Sequence, residues 1–197
     1  MNHIGSRDNI MAKASLTISS KNYSSWSLCG WLLTRFYGLP FDERLLPPDD
    51  PHARAEILLL SSSTLVPCQT HNGIKVWDTL AIAECLNEMR PKTALLPAGR
   101  TEHSHCRSIC GEMHSGFASL RASLPMNIKA HFPDFKIWAC AQSDIDRICD
   151  IWRNCLLASR FTAYEFKLVA VCQAYASLIM AIQLFRQWAR VALLEPN

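Results

Sequence analysis

The order of strand and helix signals along residues 13–90 confines this chain more than any other feature. Ser15–Ser19 alternates and is bounded by polar residues, so it predicts a strand. Apolar turns follow from Trp26 to Tyr37. Ser24 or Ser25 stands where a cap is needed, Gly38 fits the stop and Pro40 lies just beyond it. Phe41–Leu46 predicts a second strand, Pro47–Pro51 a turn and Ala53–Leu60 a short helix. Leu65–Gln69 is strand-like although it holds Pro67, and His71-Asn72-Gly73 predicts a hairpin turn into Ile74–Trp77. Asp78 or Thr79 then caps a helix over Leu80–Met89, with apolar positions at Ala81, Ile82, Cys85 and Leu86. The order β-α-β-α-β-β-α in so short a span is that of a small α/β domain.

Beyond it no segment reads as a strand. Pro91, Pro97 and Gly99 mark a linker. Ser104–Leu124 predicts a helix, with Ile109, Met113, Phe117 and Leu120 on one stripe. Pro125–Gln142 reads as irregular, and Ser143-Asp144 as the opening of another helix carrying Ile145, Ile148, Cys149, Trp152 and Leu156. The expected organisation is a polar tail over 1–12, an α/β domain over 13–90, a linker over 91–103 and an all-helical domain over 104–197. Leu168–Ile182 is strongly apolar but shorter than the roughly 20 residues a spanning helix needs, so it predicts a buried core helix and no membrane partner. The N-terminus has no apolar run of a signal peptide, and Met11 can itself be a start.

With 49% apolar and 19% charged residues and a net charge of +3, the chain has an ordinary globular balance, and nothing in it calls for nucleic acid. Its nine cysteines include no Cys-x-x-Cys pair, which favours free thiols in a reducing cytoplasm over a disulfide framework. Cys106, Cys110 and His114 repeat at i, i+4 and i+8, but at 1.5 Å per residue they span about 12 Å. One ion does not easily reach all of them, and no metal is expected.

Chemistry is suggested first by "NYSSWS", residues 22–27, which brings more hydroxyls to one helix mouth than capping requires. This stretch resembles the Ser-Ser-x-Ser start of the first helix in serine-type, zeta-like members of the glutathione S-transferase superfamily. "LVPCQ" resembles the Val-Pro turn before that family's third strand, and "VWDTLAIAECL" its step into the third helix. "EMHSGFASLR…PMN", Glu112–Asn127, is similar to a bacterial subgroup. The likeness runs from about Leu16 to Leu157 and resumes near the C-terminus. It implies a thioredoxin-like α/β domain with a four-stranded mixed sheet, followed by an all-α domain.

The resemblance implies a cytoplasmic glutathione transferase with glutathione as co-substrate. Ser24 is the best match to the catalytic serine and Ser25 the next. A thiolate, unlike a thiol, is the nucleophile, and a hydroxyl at a helix N-terminus can stabilise it. Val66 and Pro67 would meet the cysteinyl unit across a cis bond. Asp78 and Thr79 would meet the γ-glutamyl end, although either residue also suits a plain helix cap. Met113 and Phe117 would face a cleft for a small electrophile, although such a stripe also suits a core. The reaction expected is conjugation, or isomerisation or peroxide reduction at the same site, with detoxification as the setting and a homodimer as the assembly.

Two departures stand against this. Cys29 occupies a position where the family usually carries arginine, whose planar cation a thiol cannot replace. "CLLAS", Cys155–Ser159, passes directly to "RFTAYEF", so a segment holding the family's capped core helix is missing near 158–160. The rival reading is a non-catalytic binding protein on the same scaffold, disabled by that loss.

Overall fold

The computed structural model describes residues 14–46, 65–91, 96–132, 136–158 and 183–195. Four strands, β1 (Ala14–Ile18), β2 (Phe41–Leu45), β3 (Cys68–His71) and β4 (Ile74–Trp77), form one sheet in the order β2-β1-β3-β4. β1 is parallel to β2, with Leu16 opposite Glu43, and antiparallel to β3, with Leu16 opposite Gln69. The β3–β4 hairpin turns through Asn72 and Gly73, both at positive φ (52° and 78°), as the Asn-Gly pair predicts. This is the mixed, thioredoxin-like sheet expected.

Helix α1 (Ser25–Tyr37) begins after Ser24 and ends where Gly38 takes φ 75°, its amide closing on Arg35 and Thr34. Helix α2 (Thr79–Met89) follows β4 directly. Alternation on β1 buries Ala14, Leu16 and Ile18, and α1 supplies Leu28 and Trp31 to the same core. Ile82 and Leu86 of α2 pack with Tyr37 in a second cluster. The two helices pass close to the start of β3. At Gly30 a Cβ would lie 2.6 Å from Pro67 Cγ, so glycine is required there by contact rather than by dihedral. Thr34 donates to the Gly30 carbonyl at 2.8 Å and accepts from buried Gln69 at 3.4 Å, so the polar groups in this seam are paired.

The remaining elements are helices: α3 (Arg100–Ser115), α4 (Ala118–Ser123), α5 (Ala139–Ala158) and α6 (Gln183–Ala192). The helix expected over Ser104–Leu124 is therefore two, and it starts earlier. Gly116 and Phe117 break it, with Phe117 in the left-handed region at φ 63°. Arg121 stabilises the break by donating to the carbonyls of Met113 (2.5 Å) and Gly116 (3.3 Å), which the interrupted ladder leaves open. The expected opening at Ser143-Asp144 is also corrected. α5 already runs from Ala139, and Asp144 instead accepts from the Leu120 amide at 2.9 Å. Phe117, Ile148 and Ile151 centre the helical core.

α6 does not stay with the other helices. Trp188, fully buried, meets Trp31 edge-on at 5.5 Å and so joins the α/β core. The expected helix over 53–60, the apolar stretch over 168–182 and the junction after residue 158 lie outside the described residues. Among the described residues, no helix is long and apolar enough to cross a membrane.

Candidate functional site

The mouth of α1 sorts its serines by what their hydroxyls already do. Ser24 is the N-cap, in extended backbone at φ −92° and ψ 93°. Its Oγ accepts from the Ser27 amide at 3.3 Å and donates to Ser27 Oγ at 2.8 Å. Ser27, wholly buried, accepts in turn from the Ser19 amide at 3.0 Å, tying the helix start to the end of β1. Ser25 is different. Its hydroxyl makes no hydrogen bond with any described residue and borders a cleft of about 430 Å³ between the two parts of the fold. Trp26, Met113, Phe117, Arg121 and Met126 line the same cleft. Both residues of the expected second-substrate wall therefore share it with one of the two candidate serines.

The Val66–Pro67 bond is cis, and Pro67 is buried against Gly30 of α1. Asp78 follows β4 at φ 78° and ψ 136°, a backbone region seldom tolerated outside glycine and found mostly where a site demands it. One of its oxygens, Oδ1, caps α2 by accepting from the Leu80 amide at 2.8 Å. The other, Oδ2, lies 2.5 Å from Nε2 of His114 on α3. Thr79 is buried at the first position of α2.

Sequence reasoning missed what joins these pieces. The His114 ring packs on Trp26 at 5.1 Å, and the Arg121 guanidinium lies 4.6 Å over the same indole. The series Asp78–His114–Trp26–Arg121 thus bridges α2, α3, α1 and α4 along one rim of the cleft. In the sequence His114 falls at helical spacing from Cys106 and Cys110, and nothing in that spacing points to Asp78. Among the described residues no cluster of histidine, cysteine and acidic groups is arranged to hold a metal.

Burial works against ionisation of two thiols in the fold. Cys29 keeps solvent access yet is crowded enough that desolvation pushes its thiol up, outweighing the pull of the Arg121 charge. Burial, with Cys106 beside it, pushes Cys110 up to about 11.

Residues 23–89 match the family model described as "Glutathione S-transferase, N-terminal domain". Among curated proteins, none matches the chain. Several solved structures share the fold. A glutathione transferase homolog from Burkholderia gl BGR1, with bound glutathione, superposes with a TM-score of 0.64 at 18% identity, covering 92% of this chain and 98% of that one. A glutathione S-transferase from the Antarctic clam Laternula elliptica gives 0.63 at 18% identity, with 94% and 96% covered. The theta class glutathione S-transferase of Xanthomonas axonopodis pv. citri, also with glutathione bound, gives 0.61 at 14% identity, with 93% and 100% covered. The fold is that of glutathione transferases: a thioredoxin-like domain with a four-stranded mixed sheet, followed by a helical region.

Proposed function

We propose that the chain is a serine-type, zeta-like glutathione transferase that ionises the glutathione thiol at the mouth of α1 and passes it to a small electrophile in the cleft. The observation that carries this reading is the unspent hydroxyl of Ser25, at the first position of α1 and on the wall of the cleft that Met113 and Phe117 also line. Lowering a thiol pKa by about two units needs roughly 2.7 kcal/mol of preferential thiolate stabilisation. The α1 dipole supplies about 0.3–1 kcal/mol. A hydroxyl donating to the sulfur supplies about 1.5–3 kcal/mol, as bonds to charged groups do. Together they reach the requirement. Ser24, whose proton is directed to Ser27, is the cap that holds the first turn, which supports Ser25 as the donor.

In this reading the backbone of Val66 pairs with the cysteinyl unit beside Pro67. Asp78 and Thr79 receive the γ-glutamyl end, with His114 fixing the Asp78 carboxylate. The cleft wall of Met113 and Phe117 selects an apolar electrophile. The reaction is conjugation, with isomerisation or peroxide reduction open to the same thiolate, and detoxification is the setting. Ile74 and Met89, exposed on β4 and α2 around one hollow, support a homodimer formed through that face. The eight free cysteines among the described residues fit a reducing cytoplasm. The helical domain is shortened after residue 158, and turnover measures whether it still supports the chemistry.

The test is calorimetric titration with glutathione while the ultraviolet thiolate band of the bound thiol is recorded. Binding with an ionised thiol at neutral pH, together with turnover of a broad electrophile, is the expected result. Binding with the thiol still protonated leaves only the non-catalytic scaffold.

A further inference from the structure

The loop that delivers the chain into α1 is held by a carboxylate from the far end of the sequence. Glu195 accepts from Ser20 Oγ and from the Lys21 amide, both at 2.6 Å, and from the Asn22 amide at 3.1 Å. Successive amides converging on one anion, with a hydroxyl beside them, form a backbone nest. The floor of the nest is buried, with Lys21 5% exposed and Asn22 1%, while Ser20 and Glu195 are half-buried. Its walls are fixed independently. Trp188 donates its indole N–H to the Lys21 carbonyl at 2.9 Å, and Lys129 donates to the Glu195 carbonyl. Asn22 donates to Asn127 at 3.1 Å and accepts from the Lys129 amide at 3.0 Å. From this nest the chain leads directly to the serines. Ser20 Oγ accepts from the Tyr23 amide at 3.2 Å, and the Ser20 carbonyl accepts from the Ser24 amide at 3.0 Å.

We propose that Glu195 is a positioning residue for thiol activation: by filling the nest of Ser20, Lys21 and Asn22 it fixes the entry of α1 and hence where Ser24 and Ser25 aim their hydroxyls. This rests on the transferase reading above. Glu195 touches neither substrate, so its loss leaves the Val66, Asp78 and Thr79 contacts in place and loosens only the donor's aim. Small misplacements of such a group are costly.

The experiment records the thiolate band of bound glutathione against pH, with glutathione affinity and melting temperature, for wild type, Glu195→Ala and Ser20→Ala. Acetate is then added as a free carboxylate. Glu195→Ala is expected to lower the thiolate fraction at neutral pH about three- to tenfold, with affinity changed less than about twofold. Acetate should restore ionisation in Glu195→Ala and leave wild type unchanged. Ser20→Ala, which keeps the carboxylate and both amides, should show a smaller loss in the same direction. A Glu195→Ala protein that ionises glutathione as wild type does overturns the inference alone. So does a loss of ionisation that tracks a loss of affinity and that acetate does not restore. A wild type that binds glutathione without ionising it refutes the transferase reading, and the inference with it.

Discussion

Replacing Ser24 and Ser25 by alanine, one at a time, should separate stability from chemistry. Ser24→Ala removes the acceptor of the Ser27 amide and the donor to Ser27 Oγ, and it leaves a buried hydroxyl with one partner fewer. Losing an N-cap costs about 1 kcal/mol. In a chain of this size that lowers the melting temperature by about 2–4 °C. Ser25→Ala removes no hydrogen bond to a described residue and puts a better helix former at the first position of α1. Its stability should stay within about 0.5 kcal/mol of wild type. Ionisation reverses the order. If the Ser25 hydroxyl donates to the sulfur, its loss removes about 1.5–3 kcal/mol of thiolate stabilisation, which raises the pKa of the bound thiol by about 1–2 units. Ser24→Ala should raise it less, and only as the first turn loosens. Thermal melts and a pH titration of the bound thiolate band read the two quantities on the same samples. If Ser24→Ala abolishes ionisation and Ser25→Ala does not, the Ser24 hydroxyl must swing away from Ser27 on binding, and the assignment of roles is refuted. If neither variant moves the thiol pKa, serine activation is wrong altogether.

Gly30→Ala should destabilise the fold by about 1–3 kcal/mol, as overpacking does, because its Cβ would sit 2.7 Å or less from two carbons of Pro67. Urea denaturation reads the loss, and an accompanying fall in glutathione affinity would show that the Val66–Pro67 segment had moved. Burial raises the Glu195 carboxyl, but the bonds from Ser20, Lys21 and Asn22 and the Lys21 charge outweigh it and hold the group below the usual carboxylate range. Its stabilisation is therefore fully present above the unfolded pKa of about 4.3 and is lost as pH falls through the lower folded value. Melts from pH 6 to 3 should show wild type losing more stability than Glu195→Gln, and parallel curves would refute this. Cys110, pushed up to about 11, should react with iodoacetamide at neutral pH more slowly than exposed Cys140; peptide mass spectrometry after a short pulse decides it.

What was legible in the sequence was local. The α1 cap, the Gly38 stop, the Asn72-Gly73 turn and the Asp78 start of α2 each depend on residues within four positions of one another, where a side chain's preference and its structural role coincide. The break at Gly116 was not legible for a physical reason. The stripe of Met113, Phe117 and Leu120 continues in phase across Gly116, and a lone glycine costs a helix only about 1 kcal/mol. What decides the break is Arg121 and Asp144, which take the freed carbonyls and amide from 5 to 24 residues away.

The site divides the same way. The groups that would meet glutathione come from short motifs, and the sequence names them. The groups that hold those in place, His114 on Asp78, Arg121 over Trp26 and Glu195 in the Ser20–Asn22 nest, come from elsewhere in the chain. For His114 and Glu195 the separations run from 36 to 175 residues. No periodicity announces such partners, because their side chains are ordinary at their own positions. A carboxylate near the last turn of α6 reads as a solvated charge until the fold brings two amides and a hydroxyl to it. Motif retention alone is therefore a poor guide to activity here. A chain can keep Ser24, Ser25, Pro67 and Asp78 and still lose the chemistry if the α6 segment no longer returns to the α/β domain. Trp188, buried against Trp31 and bonded to the Lys21 carbonyl, anchors that return together with Glu195.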